Sequence, residues 1–260
     1  MIWSAECRRT LRSARAVVLL GLYGLFALLV LLVGALVRSW LQQVMAQQAG
    51  GMLPPSEEIP TLVVVVFYLG IFFLPAYVAL MGFDQLSGEV GPRSMRYLTV
   101  RARRSSVLLG KFLAQTTLLL TLVLGLDLIL CVYAWLSTPG FGFGAFALNL
   151  MRFWVGTFVF ALAFLALTAL CSSITSTPSV SLVTNFICIM AAFGLWLAGL
   201  WLGRDEGHPL QYMRYLSPMN YCTKLLDPEA LQFGASALAY VVFALLFLGG
   251  AYAALRTRDL

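Results

Sequence analysis

Side chains able to do chemistry are few in this sequence. His208 is the only histidine, and no serine or cysteine stands with it in a catalytic pattern. Because a nucleophile and its base must lie within hydrogen-bond reach, a structural role in a loop is the better interpretation of His208. The patterns H-E-x-x-H and G-x-S-x-G are also absent. We therefore predict that the chain has no catalytic residues and is not an enzyme.

Gly110 and Lys111 have the residue types that end a phosphate-binding loop, but their surroundings do not fit one. Such a loop reads G-x-x-x-x-G-K-[ST], whereas Phe112 follows Lys111 and Ser105 stands where the first glycine would be. The polar segments are also too short to hold a nucleotide domain. We therefore expect this chain to bind no nucleotide and no cofactor.

The cysteines carry no recognisable pattern. There are five, at scattered positions without paired short spacing: Cys7, Cys131, Cys171, Cys188 and Cys222. Three lie within apolar runs, where cysteine behaves as a small hydrophobic residue. Neither a metal site nor a disulfide framework is predicted.

Composition indicates an integral membrane protein. The chain is 61% hydrophobic and only 11% charged, against about 25% charged in soluble domains. The net charge of +6 could suggest nucleic acid as a partner. Here the basic residues flank apolar runs, so membrane topology and anionic lipid headgroups explain the charge better, and no nucleic-acid partner is predicted.

Six apolar runs are long enough to cross a bilayer, for which about 20 residues are needed. They cover residues 16–37, 61–83, 112–136, 153–171, 180–202 and 235–255. We predict an all-α polytopic membrane protein with six transmembrane helices in one domain, residues 1–260. The polar segment 38–59 and the Gly/Phe-rich segment 137–148 are predicted outer loops, and so is the segment 203–233. Residues 172–179 are a predicted inner turn.

The distribution of basic residues orients these spans. Twelve of the 17 Lys and Arg residues fall in three segments, namely residues 1–15, residues 83–111 and the C-terminus. Excess Lys and Arg marks cytoplasmic segments, so both termini are predicted in the cytoplasm, with the protein in a bacterial inner membrane. Residues 1–15 have an apolar face at helical spacing, formed by Trp3, Cys7, Leu11 and Ala14. Two interpretations stay open: an amphipathic helix on the inner membrane surface, or a plain basic anchor.

Residues 83–111 form the largest predicted cytoplasmic feature, with six basic and two acidic residues. Within them stand Asp84, Ser87-Gly88-Glu89, Gly91, the pair Arg103-Arg104 and the run Leu108-Leu109-Gly110-Lys111. This arrangement resembles the signature of the ABC-2 type permease family. The six-span layout and the element Leu216-Ser217-Pro218 before the last span also match.

The resemblance implies a membrane subunit that works with a second permease copy and with a separate ATP-binding-cassette ATPase, which would bind ATP and magnesium. It also implies a coupling helix between the second and third spans that docks on the ATPase. We call residues 84–104 the coupling segment and start its helix at Pro92, since proline suits a first helical turn. The residues expected to contact the ATPase are Glu89, Gly91, Arg93, Arg96, Tyr97 and Leu98. The alternative is a solvated basic loop with only a topological role.

Basic residues nearer the membrane have a different predicted role. Arg101, Arg103 and Arg104 are expected on anionic headgroups, at roughly 1 kcal/mol each. Lys111 opens the third span and is expected to extend its ammonium group to the interface.

Asp127 is the one acid deep in an apolar run. Ionisable groups inside a membrane usually face a bundle interior or a cavity. We therefore weigh two roles for Asp127: a polar point in the substrate pathway, or a structural partner of Asn149, Arg152 or a backbone group. Asn185 is a weaker pathway candidate. Like Thr168 and Ser172, it is better interpreted as a residue that hydrogen-bonds between helices.

These observations favour the permease subunit of an ABC-2 type exporter. An intramembrane lipid-modifying enzyme is less favoured because no nucleophile and base pair up. A non-transporting assembly or anchoring protein is the third possibility. The substrate does not follow from the sequence, although few charges in the spans suit a lipid, an apolar drug or a peptide better than a bare ion.

Overall fold

The computed structural model describes residues 61–90, 103–137, 142–201, 209–226 and 230–257, with scattered positions between Trp3 and Trp40. Every regular element in this part of the chain is helical. The predicted fold class is thus confirmed at the level of an all-helical protein.

Five long helices and one short helix build the described fold. Their bounds are α1 Thr61–Gly82, α2 Ser87–Val90, α3 Arg104–Ser137, α4 Phe143–Ile174, α5 Pro178–Trp201 and α6 Ala230–Thr257. Three short 3-10 helices, Pro209–Leu216, Pro218–Tyr221 and Thr223–Leu226, lie between α5 and α6.

Five helices of the described part are long and apolar enough to cross a membrane. They correspond to the second through sixth predicted spans. The first predicted span, residues 16–37, falls largely outside the described residues. Its described positions are helical, and their side chains, among them Leu25, Leu32 and Leu36, are exposed.

Several helices extend beyond the apolar runs from which they were predicted. The predicted outer loop 137–148 is wrong in its second half, because α4 already begins at Phe143. There Phe146 packs against Phe143 and Trp135, with ring centroids 5.9 Å and 6.2 Å apart. This aromatic packing favours a helix where the glycines suggested a turn.

The start of α3 and the turn between α4 and α5 also show helices that are longer than their predicted apolar runs. The third predicted span began at residue 112, whereas α3 begins at Arg104. The predicted inner turn shrinks to residues 175–177, and Pro178 opens α5, a position that suits proline because the first helical N–H has no partner in the helix. Hydropathy marks only the apolar part of each helix, so the polar turns at helix ends were missed.

Helix α4 lies at the centre of the bundle. Its side chains Phe160, Ala166 and Ala169 are completely buried, and Phe160 meets Tyr240 of α6 edge-on with centroids 5.5 Å apart. By contrast, α3, α5 and α6 keep many large apolar side chains exposed, among them Leu128, Ile187 and Leu246. An apolar exterior around a packed helical interior is the pattern expected of a protein in lipid.

The two ends of the bundle differ in how they are closed. At one end α1, α4 and α6 finish while α3 and α5 begin; we call it the Lys111 end. At the other, which we call the Ser217 end, residues 209–226 turn back along α5. The Ser217 Oγ donates to the carbonyl of Ala192, 2.8 Å away. Ala192 lies nine residues before Trp201, so the chain returns about 14 Å along α5 at 1.5 Å per residue.

Candidate functional site

Glu89 and Lys111 meet at the Lys111 end. Both belong to the motif in residues 83–111 that resembles the permease family. The Lys111 ammonium lies 2.8 Å from the Glu89 carboxylate and 3.0 Å from that of Glu6. The side chains are 6%, 12% and 21% exposed for Lys111, Glu89 and Glu6. This cluster of three charges ties the N-terminal segment, α2 and α3 together in a site largely shielded from solvent.

The same contacts define where the N-terminal segment lies. The described positions of residues 3–7 are helical. The Trp3 indole donates to the Thr117 hydroxyl at 3.1 Å, and the Cys7 thiol lies 3.9 Å from the carbonyl of Ala114. Two residues of the predicted apolar face, Trp3 and Cys7, thus rest against α3. Burial, reinforced by the negative charge of Glu6, raises the pKa of the Cys7 thiol.

Two residues before Glu89, Ser87 is held by Ser172 of α4 at the entrance of the coupling segment. The Ser172 Oγ accepts hydrogen bonds from the backbone N–H groups of Leu86 at 2.9 Å and Ser87 at 3.0 Å. It also donates to the Ser87 Oγ, 3.3 Å away. Helix α2 starts at Ser87, because Ser172 satisfies N–H groups that the first helical turn leaves without a partner. The predicted start of the coupling helix at Pro92 lies outside the described residues.

One helical turn from Lys111 and Ser172, polar side chains of α3, α4 and α5 converge around Gly82. A Cβ atom on Gly82 would lie 2.8 Å from both the Gln115 Oε1 and the Thr168 Cγ2, so a larger residue there would force these side chains to shift. The Asn185 Nδ2 donates to the Thr168 Oγ1 at 2.8 Å. The prediction that Thr168, Ser172 and Asn185 hydrogen-bond between elements is thereby confirmed.

These contacts form two polar layers that lie one helical turn apart. The outer layer contains Glu6, Glu89 and Lys111 together with Ser87 and Ser172, and the inner layer contains Gln115, Thr168 and Asn185. The spacing follows from the helices themselves, since Lys111 and Gln115 on α3, like Thr168 and Ser172 on α4, are four residues apart and share a face.

The exit of the coupling segment is attached to a different helix. The Arg104 Nη1 donates to the carbonyls of Leu255 at 2.6 Å and Arg256 at 3.1 Å, in the last turn of α6. A guanidinium suits a helix C-terminus, where the last carbonyls have no partner within the helix and the helix dipole is negative. Arg103, by contrast, is exposed. Five other predicted residues, Gly91, Arg93, Arg96, Tyr97 and Leu98, lie outside the described residues, as does Arg101.

Asp127 lies on α3, away from these layers. Its side chain is 6% exposed, and its Oδ2 has no hydrogen-bond partner among the described residues. Asn149 of α4 is also buried, with its Oδ1 in the same condition. Within the described part of the chain, the expected pairing of Asp127 with Asn149 or Arg152 is not observed.

At the Ser217 end, Ser217 and Pro218 of the predicted Leu-Ser-Pro element form a buried corner, whereas Leu216 is exposed. The Ser217 Oγ accepts from the backbone N–H of Met219 at 3.2 Å while donating to α5. The Tyr240 hydroxyl of α6 donates to the carbonyl of Pro218 at 2.7 Å. This element therefore joins α5 to α6. Burial raises the pKa of Cys222, which follows the corner.

Sequence reasoning missed two participants, Glu6 and the double acceptor role of Ser172. A lone acid in a basic N-terminal segment was the available signal for Glu6. Ser172 gave none, since any serine near a helix end has the same local appearance. No group of three or more metal-ligating side chains occurs in the described part of the chain.

The apolar exterior, buried core and five candidate spans define this chain as a polytopic helical membrane protein. A family model described as ABC-2 family transporter protein matches residues 2–260. The chain belongs to this family, as the motif resemblance indicated, and is a membrane protein of the ABC transporter type. No curated protein sequence matches it significantly.

Proposed function

We propose that this chain is the permease subunit of an ABC-2 type exporter, driven by a separate ATP-binding-cassette ATPase. The observation that carries the proposal is the attachment of the coupling segment at both flanks. Its entrance is bonded to α3 and α4 through Glu89 and Ser172, and its exit to α6 through Arg104. A segment that only fixed topology would need no such connections.

The Lys111 end would face the cytoplasm, because the three segments richest in Lys and Arg belong to it. Both termini would then be cytoplasmic, and the membrane would be a bacterial inner membrane. The first apolar run, residues 16–37, would supply a sixth span. Nucleotide-driven closure of two ATPase subunits would be received by the coupling segment, and two permease copies would form the substrate pathway between them.

Within the pathway, Asp127 is the leading candidate for a polar contact. A carboxylate buried on α3 without a hydrogen bond to a described residue is costly, and such a cost is accepted most readily where the group serves a ligand. Asn185 is the weaker candidate because its amide already bonds Thr168. The exposed apolar faces suit a lipid, an apolar drug or a peptide as the transported molecule.

The test is co-purification of a tagged ATP-binding-cassette ATPase encoded near this chain. Glu89→Ala is a less direct test, because Glu89 also neutralises Lys111 and its loss would disturb the fold as well. We therefore choose Arg96→Glu, at another of the predicted contact residues. We expect it to weaken ATPase association or to uncouple hydrolysis, since losing a charged pair at an interface costs about 2–5 kcal/mol.

Arg103→Gln is the matched control, because Arg103 is exposed at the start of α3. It should leave ATPase binding unchanged at equal expression. If the ATPase binds and couples equally well to Arg96→Glu and to the parent protein, the coupling segment is only a topological loop. The lipid-modifying enzyme gains no support from the described residues.

A further inference from the structure

The Ser172 hydroxyl uses its complete hydrogen-bonding capacity on the coupling segment. A serine oxygen has one donor and two acceptor positions. All three are directed at residues 86–87: two backbone N–H groups and the Ser87 Oγ. Leu86, Ser87 and Ser172 are each completely buried, so water cannot replace any of these bonds.

Apolar packing surrounds the same point. Leu86 belongs to a buried cluster that joins the coupling segment to the starts and ends of three helices. Its other members are Val107, Leu108, Ala169, Ala251 and Leu255. Leu86 is thus inserted between α3, α4 and α6, and Ser172 fixes its backbone.

The chain also connects this position to α1. Residues 83–86 form a turn between α1 and α2. Some bonds of this turn are local, such as that from the Gln85 N–H to the carbonyl of Gly82 at 3.1 Å, whereas the Leu86 N–H bonds to Ser172. The hydrogen bonds to Ser172 therefore join the segment directly to α4, in addition to its covalent connection to α1.

We propose that Ser172 is the positioning residue through which movement of the coupling segment reaches α4. The inference rests on the proposed permease function and deepens it. Movement of the coupling segment, driven by nucleotide binding to the ATPase, is transmitted to the central helix α4 through these hydrogen bonds rather than along the chain through α1. Because α4 packs against α1, α3, α5 and α6, a displacement of α4 changes its packing against all four of these helices.

Ser173 provides a matched control at the next position. Like Ser172 it is completely buried, but its Oγ donates to the carbonyl of Leu170 within α4 itself. Ser172→Ala and Ser173→Ala therefore remove the same atom from the same helix, and only the first removes a contact with the coupling segment.

The experiment uses the complex with its ATPase in lipid nanodiscs, with spin labels in a cysteine-free parent. One pair joins Leu128 on α3 to Met151 on α4, both exposed; a second joins Ser94 of the coupling segment to Leu109, exposed on α3. Distances are measured without nucleotide and with ATP trapped by vanadate. We expect both pairs to shift in the parent and in Ser173→Ala. In Ser172→Ala the Ser94–Leu109 shift should remain while most of the Leu128–Met151 shift is lost.

A full Leu128–Met151 shift in Ser172→Ala would overturn the inference and leave the permease function intact. Absence of ATPase binding, or of any ATP-dependent shift in the parent, would instead contradict the proposed function. If Ser172→Ala does not fold, Ser87→Pro tests the contact from its other side. Proline lacks the N–H but suits the first position of a helix, so this variant should also lose the α4 shift, whereas Ser87→Ala should keep it. A retained shift in Ser87→Pro would count against the inference.

Discussion

The backbone nitrogen of Arg214 lies 2.8 Å from the position that a Cβ atom on Gly199 would occupy. The Arg214 Cα is 3.1 Å from the same point, so α5 and the returning segment touch backbone to backbone. Gly199→Ala should therefore destabilise the protein by about 1–3 kcal/mol, since backbone atoms cannot move aside cheaply. Thermal unfolding in detergent measures this.

Gly194→Ala on the same helix is the control for that change. A Cβ there has nothing within 4 Å, and both substitutions gain the same helix propensity. Equal melting temperatures for the two variants would contradict the close approach at Gly199.

The charge cluster at the Lys111 end should be strongly sensitive to loss of its cation. Lys111→Met leaves the carboxylates of Glu6 and Glu89 facing each other without a partner from α3, which typically costs about 3–5 kcal/mol. Glu89→Gln should also destabilise, and the double variant should lose less than the two single losses combined. A double-mutant cycle of unfolding free energies reports this coupling.

Lys224→Met controls for the removal of a lysine charge elsewhere, because Lys224 is exposed between α5 and α6. It should change stability by no more than about 0.5 kcal/mol. Additive losses in the cycle would mean that Glu89 and Lys111 do not interact in solution.

Arg103 and Arg104 should behave differently despite their shared predicted contact with headgroups. Arg104→Gln removes charge-assisted bonds to the end of α6; because the site is partly exposed, we expect a loss of about 1 kcal/mol. Amide exchange of residues 250–257 should speed up in Arg104→Gln and stay unchanged in Arg103→Gln. Identical exchange in both variants would favour the headgroup role for both.

Asp127→Asn separates the two roles considered for this carboxylate. Since Asp127 Oδ2 has no hydrogen-bond partner among the described residues, we expect detergent stability to be kept while substrate-stimulated ATPase activity falls. Thr121→Ala, at an exposed position of the same helix, should alter neither quantity. A loss of stability and yield in Asp127→Asn would instead identify a structural role.

Topology can be tested with single cysteines at Gln47, Ser94 and Gly207 in a cysteine-free background. The basic-residue distribution predicts that an impermeant maleimide labels the first and third in intact cells and leaves Ser94→Cys protected. Labelling at position 94, or protection of both others, would rule out six spans with cytoplasmic termini.

The membrane class, the helices and the family could be predicted because each depends on local or additive signals. Apolar runs located α1 and α3 to α6, and the motif around Glu89 and Lys111 indicated the family later found. The contacts of that motif could not be predicted. Glu6 and Lys111 are 105 positions apart, and Leu86 and Ser172 are 86 apart, so only the packing of α3 and α4 brings them together.

The repeat of polar contacts every helical turn limits how the bundle can move. Sliding α3 or α1 along α4 by a fraction of a turn would break the contacts of both polar layers together, whereas sliding by a full turn would place one layer opposite the other. Packed interfaces of this kind switch between discrete arrangements rather than deforming continuously. The helices at the Lys111 end would then have discrete stable positions. A small displacement would either be reversed or continue until the helices reach the next position.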